Sequence, residues 1–466
     1  MGAMFRPRSV LMNRSSSGVW ARPRDDLERV VFKPMGLILL WPLVDHVACR
    51  SFGFMSAVVW LQFDDITTPV ALDGASGLLA VMPAIVHGWH FRRMPEPPHA
   101  AAEPIRISVE QDSFVIRSRW LDKPTRHDEL VNVICALIIE LVWAYLEDHP
   151  EVLCLHGAAA EFAGRLVVFP NKYHAGKSLL TGCLAAAGQR IFTDDILPIE
   201  VGRPDAIIKG VALGIAPRLR LPLPDNLSAA ERQFLDANSG PASRRYRYLS
   251  LDDRRQARRH ARLPVGAIVL LSRQDEGEAV LEDVGQGEIL RDVVWQNFAR
   301  RMPSGNILHV LQKLVSGVGL FRLRYSDAAG AVAELQAAFA GWTAPDARLD
   351  DEAGAARPDQ AVTIDKLLPV PAGHYRQMPG VYEHASGKEH FLADGDGVAI
   401  HHLNPTAATI WRLLAEPSTR QDVVDLFHSA FPDQPLHQIT EDVSGLIDKL
   451  HAKQLLQFAQ ADADNE

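Results

Sequence analysis

The stretch Asn171-Lys172-Tyr173-His174-Ala175-Gly176-Lys177-Ser178 ends in Gly-Lys-Ser, the closing residues of the phosphate-loop pattern GxxxxGK(S/T). Each residue type answers a separate need of phosphate chemistry. Backbone N–H groups at a helix start are unpaired and sit at the positive end of the helix dipole, so they receive an anion. A lysine there, Lys177, neutralises the β- and γ-phosphates of a nucleotide, and a hydroxyl, Ser178, serves a Mg²⁺ ion. The first glycine of the pattern is replaced by Asn171, and asparagine tolerates left-handed backbone angles better than other non-glycine residues. Tyr173 and His174 are bulky for the middle of such a loop. ATP with Mg²⁺ is the cofactor pair this pattern implies. A helix start carrying a chance Gly-Lys-Ser is the plain alternative.

A second constellation follows the loop. Asp194-Asp195 close the next apolar run, and two carboxylates beside a phosphate site can divide the labour: one holds Mg²⁺ while the other takes a proton from an attacking hydroxyl. Alone, such a pair is commonly the opening of a surface loop. His156, at the end of an earlier apolar run, can assist a proton or contact phosphate; alone it reads as a hydrogen-bonded structural histidine. The stretch from Lys209-Gly210 to Arg220, with Pro217, reads as a substrate-side loop. Further on, Arg244, Arg245, Arg247, Arg254, Arg255, Arg258, Arg259 and Arg262 form a dense basic run. Guanidinium forks suit phosphate, and Arg244 and Arg245 are the members expected at the nucleotide site. A solvated helix laced with Asp–Arg pairs is the other reading.

These side chains act together only if regular elements hold them. Val152–His156 and Arg165–Phe169 are apolar runs of strand length, with Gly164 between them. Residues 177–187 are rich in Leu and Ala and stop at Gly188, as a helix would, and Arg190–Thr193 returns as a strand. Strand, loop, helix and strand is the α/β order whose ligand sites lie at strand ends. Upstream, 105–109 and 114–118 alternate as a β-hairpin, and 128–146 reads as a helix. The stretch 344–373, rich in Ala, Asp and Pro, has the character of a linker.

Four parts result: an N-terminal α+β region over 1–150, an α/β catalytic domain over 151–343, the linker 344–373, and a module over 374–460. In that module two short strands meet through Asp394-Gly395-Asp396-Gly397, a strong turn signal. Three helices follow, beginning near Pro405, Thr419 and Ile439, and leave an edge strand available. His401 and His402 are adjacent on one strand and point to opposite faces, which argues against a shared metal.

Composition sets outer limits. Of 466 residues, 47% are hydrophobic and 23% charged, a globular balance, and the net charge of −9 argues against a surface built for nucleic acid. Cys49, Cys135, Cys154 and Cys183 are far apart, lack ligand or disulfide spacing, and read as buried, reduced thiols. The apolar stretches 36–47 and 130–146 are interrupted by polar residues and fit buried helices better than membrane spans. The expected setting is cytoplasmic, with no nucleic-acid or membrane partner, and an oligomer is compatible with the sequence.

Leu155-His156-Gly157-Ala158-Ala159, followed by strand, Gly-Lys-Ser loop, helix and Asp194-Asp195, resembles the catalytic core of HPr kinase/phosphorylases and their relatives. The likeness is clearest over 150–200 and weaker to 343. It implies a phosphate-loop core related to phosphoenolpyruvate carboxykinase, within an α/β (α+β) multidomain chain, and phosphorylation of a seryl side chain. It gives Lys177 and Ser178 phosphate and metal binding, Asp194 the role of general base with His156 as its helper, and leaves Asp195 to the metal.

The segment Ile400-His401-His402-Leu403-Asn404-Pro405-Thr406-Ala407-Ala408-Thr409-Ile410-Trp411, with the helices ending at Leu455-Leu456, resembles the PqqD family. Such winged-helix-like domains, also called RiPP recognition elements, bind the leader of a ribosomally made peptide, which adds a strand to their sheet. Together the resemblances imply an ATP-dependent kinase acting on a Ser or Thr hydroxyl of a precursor peptide held by residues 374–460. Two alternatives stay open: a nucleotide-regulated peptide chaperone without catalysis, and an HPr-type protein serine kinase.

Overall fold

The computed structural model describes residues 28–31, 58–96, 102–170, 175–200, 207–298, 302–343, 370–394, 397 and 399–459. Of the expected linker, 344–369 lie outside these residues, as does the apolar stretch 36–47. The described residues pack as two units: 29–343 with Gly380–His401, and Glu28 with 370–379 and 402–459.

Strand β1 (Glu28–Val31) is followed by a six-stranded sheet of β2 (Val59–Phe63), β3 (Val70–Asp73), β4 (Phe91–Met94), β5 (Ile105–Glu110), β6 (Ser113–Arg117) and β7 (Thr125–His127). Its order is β4-β2-β3-β5-β6-β7. The expected hairpin is β5–β6, turned at Gln111 and Asp112 with φ of 50° and 64°, the tight turn that matches strand twist. Short helix α1 (Leu78–Val81) and long helix α2 (Leu130–Asp148) complete this layer, where Val133, Ile134, Leu137 and Leu141 of α2 are buried with Ile105, Ile107 and Ile116. Helix α2 begins two residues later than its acidic start suggests, because Glu129 keeps extended backbone angles. It is long and apolar enough to cross a membrane by length and composition, and 67% of its apolar window is buried in the fold.

The second layer is a nine-stranded sheet. Its elements are β8 (Val152–His156), β9 (Ala158–Phe162), β10 (Arg165–Phe169), α3 (Lys177–Ala186), β11 (Arg190–Thr193), β12 (Ile196–Glu200) and β13 (Lys209–Val211). A small separate sheet of β14 (Arg218–Arg220), β15 (Ser239–Ala242) and β16 (Tyr246–Leu249), with α4 (Ala229–Ala237), interrupts them. The main sheet resumes with β17 (Arg262–Arg273), β18 (Val280–Asp283), α5 (Gln286–Gln296), α6 (Ser304–Ser316), β19 (Gly319–Tyr325) and α7 (Ala328–Phe339). Its path is β11-β9-β10-β17-β13-β12-β8, with β19 and β18 continuing from β17.

Strand β9 is an addition to the expected order. It runs antiparallel to both β10 and β11, so the β10–α3–β11 crossover joins two parallel strands with β9 between them. Alternation along β10 sends Leu166 and Val168 to one face, packed with Leu290, Ile307 and Leu311 of α5 and α6. Val167 and Phe169 go to the other, packed with Leu180, Leu184 and Leu335 of α3 and α7. Both faces are covered, which explains why these strands read as continuous apolar runs.

The remaining elements are β20 (Tyr375–Gln377), β21 (Tyr382–Ser386), β22 (Glu389–Ala393), β23 (Ala399–Leu403), α8 (Pro405–Leu413), α9 (Arg420–Ala430), α10 (Leu436–Ala452) and β24 (Leu456–Phe458). The segment expected as one module is divided by packing. Phe391, Ala393 and Ile400 of β22 and β23 join the core of the larger unit beside α5 and α6. Arg291 pairs with Glu389 at 3.1 Å, and the Tyr382 hydroxyl donates to Gln312 Oε1 at 3.1 Å. The smaller unit has its own interior: Trp411, Phe427, Val443, Leu446, Ile447 and Leu450 are buried.

Local signals fix the helix starts. Asn404 Oδ1 accepts the Ala407 N–H at 2.7 Å ahead of Pro405, and Thr419 with Asp422 closes a capping box. Asn404→Ala is expected to cost about 1 kcal/mol, the usual value of an N-cap, read as a lower midpoint of chemical denaturation.

Candidate phosphate and acceptor site

Helix α3 starts without a capping side chain. Its N-cap, Gly176, has φ of 86°, and a Cβ there would lie 2.6 Å from the Tyr325 hydroxyl. Glycine is therefore required both by backbone angle and by space. The Tyr325 hydroxyl donates to the Ala175 carbonyl at 2.8 Å, which fixes the chain just before the helix. With no side chain in the capping position, the first N–H groups of α3 form an anion-receiving end. Of the expected loop, Ala175, Gly176, Lys177 and Ser178 lie at this helix start, while Asn171, Lys172, Tyr173 and His174 lie outside the described residues.

Lys177 is buried, and burial lowers its pKa while Asp195 and Asp194 oppose the shift. Thr193 shapes that carboxylate pair: its Oγ1 accepts the N–H groups of Asp195 and Ile196 at 3.1 and 3.0 Å, closing the turn between β11 and β12. His156 stands opposite Ile196 in the β8–β12 ladder, and its Nε2 lies 2.7 Å from Asp195 Oδ1. The following residue, Gly157, is a point of close approach. A Cβ there would be 3.1 Å from the Phe169 carbonyl oxygen and 3.2 Å from Pro170 Cα, so β8 ends against the end of β10.

Asp194 is buried, accepts the Arg218 N–H at 3.1 Å, and is hydrogen-bonded by Ser178. Arg218 also brings its guanidinium to 3.6 Å from Asp195 Oδ2 and 4.7 Å from the centre of the Tyr246 ring. In the sequence, Arg218 is signalled only by the glycine- and proline-bearing stretch that ends at Arg220. Arg244 is tied instead to Glu129, through its N–H at 3.0 Å and its Nε at 3.1 Å, and the Arg245 N–H donates to Ser243 Oγ at 3.3 Å.

The rest of the basic run is strand and turn, not helix. Arg255 donates to the Ala185 carbonyl at the end of α3, Arg258 pairs with Asp253, Arg259 with Asp65 and Arg262 with Glu200. Arg255, Arg259 and Arg262 thereby tie distant segments together, while Arg258 pairs within its own turn.

The two carboxyls are driven apart in acidity. Burial raises the Asp194 pKa to about 6, with a further push from the Asp195 charge, against the opposing pull of Arg218 and Ser178. For Asp195, burial is outweighed by the His156 hydrogen bond and the charges of His156, Arg218 and Lys177, so its pKa is lowered. Such a pair separates a proton acceptor poised near neutrality from a carboxylate that stays ionised.

Beside the pair lies a cavity of about 30 Å³, lined in part by Ile138, Ile139, Ile215 and Tyr248. Among the described residues, no three His, Cys, Asp or Glu side chains group as a metal site. The Ser178 hydroxyl, bonded to Asp194, and the neighbouring Asp195 carboxylate are oxygen donors of the kind Mg²⁺ takes, an ion commonly held by one or two protein oxygens with phosphates and water completing its shell.

Residues 389–456 match the family model of PqqD, coenzyme PQQ synthesis protein D. The C-terminal part of this chain carries a PqqD domain. The match takes in β22, β23, α8, α9, α10 and the start of β24. Among solved structures, the Hpr(Ser) kinase/phosphatase from Coxiella burnetii is similar at 8% identity, over 40% of this chain and 89% of its own, with a TM-score of 0.21. No curated protein matches the chain.

Proposed function

We propose that the chain is an ATP- and Mg²⁺-dependent kinase that phosphorylates a Ser or Thr hydroxyl of a ribosomally made precursor peptide recruited by its PqqD domain. The observation that carries the reading is the gathering of Lys177, Ser178, Asp194, Asp195 and His156 at an uncapped helix start. The bound nucleotide and metal supply the phosphoryl group and spread its charge. Lys177 and the N–H groups of α3 would hold the phosphates, and Ser178 with Asp195 would hold the metal. His156 fixes Asp195 through its Nε2.

Asp194 accepts the proton of the acceptor hydroxyl as that oxygen bonds to the γ-phosphorus. The bond from phosphorus to the bridging oxygen breaks, and its electron pair leaves on ADP. The peptide acceptor follows from the PqqD domain: a held leader raises the local concentration of the residue to be modified.

The test is to incubate the full chain with ATP, Mg²⁺ and the short peptide encoded beside its gene, and to read the intact peptide mass. A gain of one phosphoryl group supports the kinase. Peptide binding without any gain supports a nucleotide-regulated chaperone and overturns the kinase reading.

The acid limb of the rate gives an independent check. Turnover is expected to rise with pH through about 6, since Asp194 must be ionised to accept a proton. In Asp195→Asn the neighbouring negative charge that raises the Asp194 pKa is gone. The limb of kcat/KM is then expected to move to lower pH, whatever rate remains.

A further inference from the structure

The four-stranded sheet that contains the hairpin of the PqqD domain has the order β1-β23-β22-β21. One of its edges is therefore made by Glu28–Val31, from the opposite end of the chain, hydrogen-bonded to β23. At the other edge, β21 ends tightly against α5: a Cβ on Gly287 would stand 2.3 Å from the Ser386 carbonyl oxygen. Of the two strands flanking β22, β23 is the one that belongs to the matched domain, and its outer backbone is already paired.

We propose that β1 is a built-in occupant of the peptide edge, which must leave β23 before an external peptide strand can pair there. The inference rests on the reading of the PqqD domain as a peptide binder. An edge strand is a template for any extended segment, and a protein that keeps one for a partner must also keep it from pairing indiscriminately. A strand supplied by the same chain does this.

The segment suits the task. Asp25-Asp26-Leu27-Glu28-Arg29-Val30-Val31-Phe32 combines strand-forming residues with charge, and β1 is four residues long against five in β23. Exchange replaces one set of backbone hydrogen bonds with an equivalent set, so the backbone alone favours neither strand. Tethering favours β1, because an attached strand acts at a high effective concentration. A free peptide then wins only if it brings contacts beyond the β23 edge. Short or unrelated extended peptides are refused.

The probe is a fluorescein-labelled synthetic peptide of the chain's own residues 23–36, titrated by anisotropy into the full-length protein without nucleotide. Successive amides along a strand point to opposite sides, so Arg29→Pro with Val30→Pro removes an N–H whichever side faces β23. The double variant is expected to bind the probe about ten-fold or more tightly than the wild type. Hydrogen exchange at β23 is expected to speed up in the variant and slow again when the probe is added. Equal probe affinity in both proteins overturns the proposal, as does faster exchange at β23 with no probe binding.

Should the double variant also lose protection in β10 and β17, the single variants decide. One of them is expected to bind the probe more tightly and the other to match the wild type, and identical behaviour overturns the proposal. Failure of the kinase reading leaves this assay untouched, since no phosphoryl transfer enters it. A peptide edge that opens as described, in a chain that ignores the peptide encoded beside its gene, sinks the functional reading alone.

Discussion

Asp194→Asn is expected to lower kcat by about 10²–10⁴-fold, the usual worth of a positioned general base, while ATP affinity changes little. The substitution keeps the shape of a buried group that accepts the Arg218 N–H at 3.1 Å, so the turn after β11 should persist. What it removes is a site for the acceptor's proton. The measurement is the rate of phosphopeptide formation at saturating ATP, beside ATP affinity by calorimetry. Asp195→Asn provides the contrast. The Asp195 side chain is partly exposed and paired with His156, whereas Asp194 is buried. If Asp195→Asn removed the acid limb and Asp194→Asn kept it, the two roles would be exchanged. Full activity in both variants would sink the site.

Lys177→Ala is expected to lose about 10²–10³-fold in kcat and to weaken ATP binding, as removal of a preorganised charge on a transferring phosphoryl group does. Stability should change little, because burial already disfavours the Lys177 charge and the carboxylates only partly compensate. Peptide binding, measured by anisotropy, should be unchanged, and that separates a lost phosphate site from a misfolded chain. Unaltered ATP affinity would mean that the helix start does not hold phosphate. Asn171 in place of the first glycine would then be the residue to examine.

Much of the crossover was legible because its signals are local. Apolar runs of strand length, a Gly-Lys-Ser and a terminating Gly188 place β10, α3 and β11 within a residue or so. Strand β9 was not legible, since Ala158-Ala159-Ala160 has weak strand propensity and becomes a strand by pairing on both sides. Arg218 was hidden for a similar reason: it is placed by a separate three-stranded sheet, in which it pairs with Tyr248, far along the chain. The basic run misled towards a helix because its partners are remote. Arg244 meets Glu129 and Arg259 meets Asp65, contacts that no spacing within the run encodes. The pairing of β22 with β23 was signalled by the Asp-Gly stretch between them, whose Gly395 and Asp396 lie outside the described residues. Strand alternation marks an apolar face, but not the helices that will cover it.

That covering has a practical side. Phe391, Ala393 and Ile400 share their interior with Leu290, Ile307 and Leu311. The C-terminal segment is therefore not a detachable cassette. A graft cut at the linker and joined to another enzyme would carry a naked greasy patch where α5 and α6 had been, and would clump. To move it, an engineer must take those two helices along or repaint the three residues with polar ones.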